Sequence, residues 1–133
     1  MSPEPRAGQV SLVLSTDLTL LGVIRGAVYL VAQQNRFAEA EAMNLTHAVE
    51  QACRILIAGH YQNRPEATLR LRLDSFADRL EVVVEDGDLG ALTGSAPEAF
   101  LMARGVDRVV QEQTGEGIYQ LTLIKYRRQS PAS

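Results

Sequence analysis

Three things are scarce in this 133-residue chain: cysteine, positive charge and long apolar runs. A single cysteine, Cys53, excludes an internal disulfide. Lys and Arg number 13 against 16 Asp and Glu, and the net charge of -3 argues against a general affinity for nucleic acid. The one basic cluster, Lys125, Arg127 and Arg128, stands at the chain end and reads as a solvated tail. The longest apolar-leaning stretch, Leu18 to Ala32, is broken by Arg25 and is too short to span a bilayer. The opening MSPEPRAGQ lacks the apolar segment of a secretory signal, so the expected location is cytoplasmic, with no membrane role.

What is present is ordinary for a globular protein: 46% hydrophobic and 22% charged residues, enough for one core and one domain. Residues 1–9, with two prolines and a glycine, read as a flexible lead, residues 10–126 as the domain and residues 127–133 as a flexible tail. VSLVL at 10–14 alternates like an edge strand, and Ser15, Thr16 or Asp17 can cap the helix that follows. Leu20, Ile24, Ala27, Val28 and Val31 recur at helical spacing. Between Glu39 and Ala58 the spacing predicts the clearest helix: Leu45, Val49, Ala52 and Leu56 form its apolar stripe, while Thr46, His47, Glu50 and Arg54 fall elsewhere on the wheel, and Gly59 ends it.

Leu69, Leu71 and Leu73 alternate with Arg70 and Arg72, predicting a strand with one buried face, and Leu80, Val82 and Val84 predict the next. A helix from Pro97 to Arg104, a strand from Val106 to Gln111, a turn at Gly115 to Gly117 and a strand from Ile118 to Tyr126 complete the chain. The expected fold is an α/β two-layer sandwich, about three helices on one mostly antiparallel five-stranded sheet.

Three segments carry a family resemblance: LTHAVEQACRILIAGHY at 45–61, VVVEDGDLG at 82–90 and FLMARGVDRV at 100–109. Together they resemble the histidine-kinase-like (GHKL) ATPase superfamily with its Bergerat-type fold, and within it the small anti-sigma-factor serine kinases of bacterial partner-switching systems. The resemblance covers about residues 10–126. In that family a helix reads Glu-x-x-x-Asn-x-x-x-His, a strand ends in Asp-x-Gly-x-Gly, and a Gly-x-Gly-Leu-x-Leu-Met turn precedes the last helix and hairpin. The resemblance implies that Glu50 matches the general base that takes a proton from a partner's serine, and that Asp86 matches the carboxylate receiving the adenine amino group. A carboxylate suits an exocyclic amine, and glycines such as Gly90 let backbone N–H groups approach phosphate oxygens.

Departures from that pattern fall on the phosphate and metal positions. Arg54 replaces the Asn that orients Mg²⁺, and a permanent cation does not ligate a metal. Asp88 replaces a glycine, and Ala96-Pro97-Glu98 replaces the last Gly-x-Gly, removing an N–H donor and adding an acid. Only Ala91 to Ser95 remain of the lid that folds over the triphosphate in the family. One compensation is open to the chain: Arg54 can pair a phosphate directly in place of magnesium.

Other residues read as structural. His47 and His60 lack metal-site spacing, with the family histidine position occupied by Ala58. Cys53 lies beside the apolar stripe as a buried thiol, and Gly115-Glu116-Gly117 is a hairpin turn before it is a phosphate loop.

The resemblance and its departures lead to an anti-sigma-like regulatory protein, a pseudokinase acting by protein–protein binding with impaired or lost ATP binding. Its implied partner is a sigma factor or an anti-anti-sigma antagonist. No resident cofactor or metal is expected. The alternative is an active serine/threonine kinase using ATP with Mg²⁺, in which Glu50 is catalytic and Asp86, Gly90 and Arg54 hold the nucleotide. A third reading is a nucleoside without its triphosphate, selected by Asp86. In the family the first helix and its preceding strand form the dimer or partner surface, which makes Leu18, Leu21, Val23 and Tyr29 candidate contacts there.

Overall fold

The structure, a computed structural model, describes residues 8–15, 18–56, 68–86, 105–114 and 118–127. Strand β1 (Gly8–Ser15) leads through a single 3-10 turn (Leu18–Leu20) into helices α1 (Leu21–Gln34) and α2 (Glu39–Leu56). Strands β2 (Thr68–Ser75), β3 (Arg79–Asp86), β4 (Arg108–Thr114) and β5 (Ile118–Tyr126) follow. The five strands form one sheet in the order β1-β2-β3-β5-β4, and every pairing is antiparallel. Both helices cover one face of it, giving the two-layer α/β sandwich that the sequence predicts.

The register explains the core. Leu12 stands opposite Leu71, Leu71 opposite Val84, Val84 opposite Leu121, and Leu73 opposite Val82, which in turn faces Leu123. Strand periodicity places all of them on one side, where Ile24 and Val28 of α1 and Leu45, Val49 and Ala52 of α2 close over them. Burying each such side chain stabilises the fold by about 1.5–3 kcal/mol before chain entropy is subtracted. The opposite face mixes apolar side chains, Val83 and Ile124 among them, with polar contacts: Asp74 accepts from Gln9 and Arg72, Arg79 bonds Glu81, and Gln120 donates to Glu85.

Several boundaries differ from the sequence reading. Strand β1 begins at Gly8, paired with Ser75, two residues before the expected start. Leu20, not a polar side chain, occupies the N-cap of α1, and no side chain bonds there, because the 3-10 turn feeds directly into the helix. Strand β4 starts at Arg108, not Val106, since Gly105 and Val106 are buried, with Gly105 against α2. The expected helix Pro97–Arg104, the helix end at Gly59, the turn Gly115–Gly117, residues 1–7 and residues 128–133 lie outside the described residues.

The two helices form a hairpin whose turn compensates for having no glycine. Asn35 caps α1, and Arg36 takes the left-handed conformation (φ 65°) usual for glycine after a helix. The Arg36 N–H donates to the Gln33 carbonyl and the Phe37 N–H to the Ala32 carbonyl, while Phe37 buries its ring beneath. The Asn35 amide reaches Ser75 at the end of β2, tying the turn to the sheet. This hairpin sets how α1 lies across α2 and therefore what surrounds Glu50.

Candidate functional site

Glu50 sits in the middle of α2, one turn before Arg54. The sequence places it off the apolar stripe, as a charge on the outer wheel; in the structure it is buried, its side chain only 10% exposed. Thr46, one turn earlier, is buried too and donates its hydroxyl to the Ala42 carbonyl at 2.7 Å. The cause is α1, which packs along that side of α2. The same packing brings Arg25, which the sequence reading left out of the site, against Glu50.

Both arginines meet one oxygen of that carboxylate. Arg54 Nη2 lies 3.2 Å from Glu50 Oε2 and donates to it; Arg25 Nη1 lies 3.5 Å from the same atom. The guanidinium side chains are 50% and 58% exposed, so the carboxylate is the buried member and the cations form its outer cover. A buried carboxylate without such partners would carry a heavy desolvation penalty.

A cleft of about 660 Å³ opens between the helices beside this cluster. Gly22 and Gly26 of α1 form one wall with Arg25 and Tyr29, and Met43, His47 and Glu50 of α2 form the other. Tyr29 is half-buried and its hydroxyl accepts from Gln33 at 3.1 Å. Among the described residues no three metal-ligating side chains converge.

Cys53 is buried beside Glu50, and its thiol is pushed up from 9.0 to about 12, first by loss of water and second by the Glu50 charge. A thiol held neutral in this way is a poor nucleophile, in accord with the structural role read from its position. His47 is exposed on the cleft wall, and His60 lies outside the described residues.

The other sequence candidates are only partly placed. Asp86 ends β3, with its backbone opposite Leu69 and Tyr119. Its side chain, Gly90, Asp88, the Ala96-Pro97-Glu98 turn and the short lid lie outside the described residues. The structure therefore joins Glu50 to Arg54, as their spacing requires, and adds Arg25. Of the four apolar residues considered for a partner surface, Leu21 is buried in the core, because its position on α1 faces the sheet, and Val23 is 49% exposed. The side chain of Leu18 lies outside the described residues.

No protein-family model matches this sequence, and no curated protein matches it. The fold does have a counterpart in the crystal structure of the RsbU and RsbW domains of Rv1364c from Mycobacterium tuberculosis. The two superpose with a TM-score of 0.69 at 11% identity, over 93% of this chain. This chain spans 34% of the length of that one. The architecture is thus a two-layer α/β sandwich shared with that structure, and at this identity the likeness is one of fold alone. No helix among the described residues is long and apolar enough to cross a membrane.

Proposed function

We propose that this chain is an anti-sigma-like regulatory protein that works in the cytoplasm by binding a protein partner, with ATP binding impaired or lost. One observation carries the reading: the carboxylate at the position of the family's general base is engaged by two guanidinium groups on a single oxygen. A general base needs an acceptor within reach of a substrate hydroxyl, and Glu50 spends its charge holding Arg25 and Arg54. Arg54 also stands where a magnesium-orienting amide would be required, and it repels that ion. The fold shared with a structure that includes an RsbW domain supports the general regulatory kind. Protein binding asks less of the site, because it depends on an exposed face and not on phosphoryl transfer.

Calorimetric titration with ATP and with ADP, each with and without Mg²⁺, tests the proposal, with Asp86→Asn as the control. The expected result is no heat that depends on Mg²⁺ or on Asp86 at millimolar nucleotide. Tight, magnesium-dependent binding that disappears in Asp86→Asn would replace this reading with the kinase, and Glu50→Ala would then be expected to abolish phosphorylation.

A further inference from the structure

We infer that Arg25 and Arg54 form a metal-free seat for an oxyanion, with Glu50 as the internal anchor that holds both guanidinium groups in place. The two cations come from different helices and converge on Glu50 Oε2, at 3.5 and 3.2 Å. Two like charges brought this close repel unless an anion lies between them; the buried carboxylate supplies one and leaves the cluster with one positive charge in excess.

Each guanidinium carries five N–H donors in a planar fork. Among the described residues Glu50 is the only ion-pair partner of either, and both heads are at least half exposed, so donors remain directed to solvent, those of Arg25 on the cleft wall. A carboxylate or phosphate group accepts such donors through two or three oxygens, which is the geometry that paired arginines favour.

The surroundings suit that ligand. Gly22 borders the Arg25 head: a β-carbon at Gly22 would lie 3.8 Å from Arg25 Nη2, an ordinary contact. Besides Glu50, the acidic residue lining the cleft is Glu39, which opens α2. Eleven residues separate it from Glu50, about 16 Å along the helix, well beyond the ionic screening length of about 8 Å at physiological salt. The ligand class is an oxyanion, borne by a small free anion such as phosphate or by an acidic side chain of a protein partner.

This inference rests on Glu50 acting as an anchor and not as a base, yet the two readings fail separately. Nucleotide calorimetry decides the first proposal; the arginine side chains decide this one. Arginine Nε–H signals of the full chain would be followed by NMR at constant ionic strength without Mg²⁺, titrating inorganic phosphate in one arm and a short Asp/Glu peptide in the other. The expected result is saturable movement of the Arg25 and Arg54 signals, with binding about tenfold weaker in Arg25→Gln and in Arg54→Gln. Preference for phosphate assigns the seat to a free anion, and preference for the peptide assigns it to a partner's side chain. Linear drift shared with Arg36 and Arg108, or saturation only when Mg²⁺ is added, would overturn the seat.

Discussion

Gly105 packs so tightly on Asn44 that a β-carbon at residue 105 would overlap the Asn44 backbone carbonyl, and it would also lie 3.2 Å from the Ala48 β-carbon. The segment entering β4 is therefore pressed against α2, the helix that carries Glu50. Neither obstacle is the mobile end of a side chain, so relief requires the helix or the strand to shift. Gly105→Ala is expected to destabilise the protein by about 1–3 kcal/mol, read from urea denaturation. A neutral result would show that α2 moves away from β4 at little cost.

Gly26 presents the opposite case. It lies in the interior of α1, on the cleft wall, and a β-carbon there would meet nothing within 4 Å. Glycine in such a position costs a helix about 1 kcal/mol relative to alanine, so Gly26→Ala is expected to raise stability by roughly that amount. Thermal denaturation checks it, and a lower midpoint would contradict the open geometry of that wall.

The shared oxygen of Glu50 predicts non-additive mutations. Removing Arg25 or Arg54 alone leaves the carboxylate one partner, and each single alanine variant is expected to cost only about 0.5 kcal/mol, as half-exposed ion pairs do. Removing both leaves a buried charge without a cation, and the loss is expected to exceed the sum by about 1 kcal/mol or more. Adding Glu50→Gln to the double variant should recover most of that excess, because the neutral amide no longer requires a counterion. Strict additivity across the cycle would mean that water already satisfies the carboxylate.

Cys53 gives a pH dependence with a definite sign. Burial holds its pKa near 12 in the native state, against 9.0 for a thiol exposed to water. Below pH 9 the thiol is protonated in both states and its stabilising effect is complete. Between about pH 9 and 12 the unfolded chain releases the proton and the native chain keeps it, so stability falls as pH rises, by up to about 1.4 kcal/mol per unit. The stability advantage of the wild type over Cys53→Ala should accordingly narrow above pH 9. A gap independent of pH would show that the native thiol ionises normally.

The periodicities of the chain determined its elements and most of its core. Alternation at Leu69, Leu71 and Leu73 and again at Leu80, Val82 and Val84 makes two adjoining antiparallel strands, because each must turn the same kind of face to the helices. The stripe Leu45, Val49 and Ala52 likewise fixed which side of α2 meets the sheet. The pair Glu50 and Arg54 was legible as well, since residues four apart on a helix are neighbours.

Only the tertiary structure decided what covers the rest. A helical period gives a residue's direction around its own axis but not which other element lies in that direction. Thus α1 turned Glu50 from a solvated charge into a buried one and delivered Arg25 to it across 25 residues of sequence. The same applies to Gly105 against Asn44, and to the last hairpin, where β5 lies inside against β3 and β4 is left at the edge. These contacts join distant parts of the chain, so they depend on how whole elements pack and leave no local pattern to read.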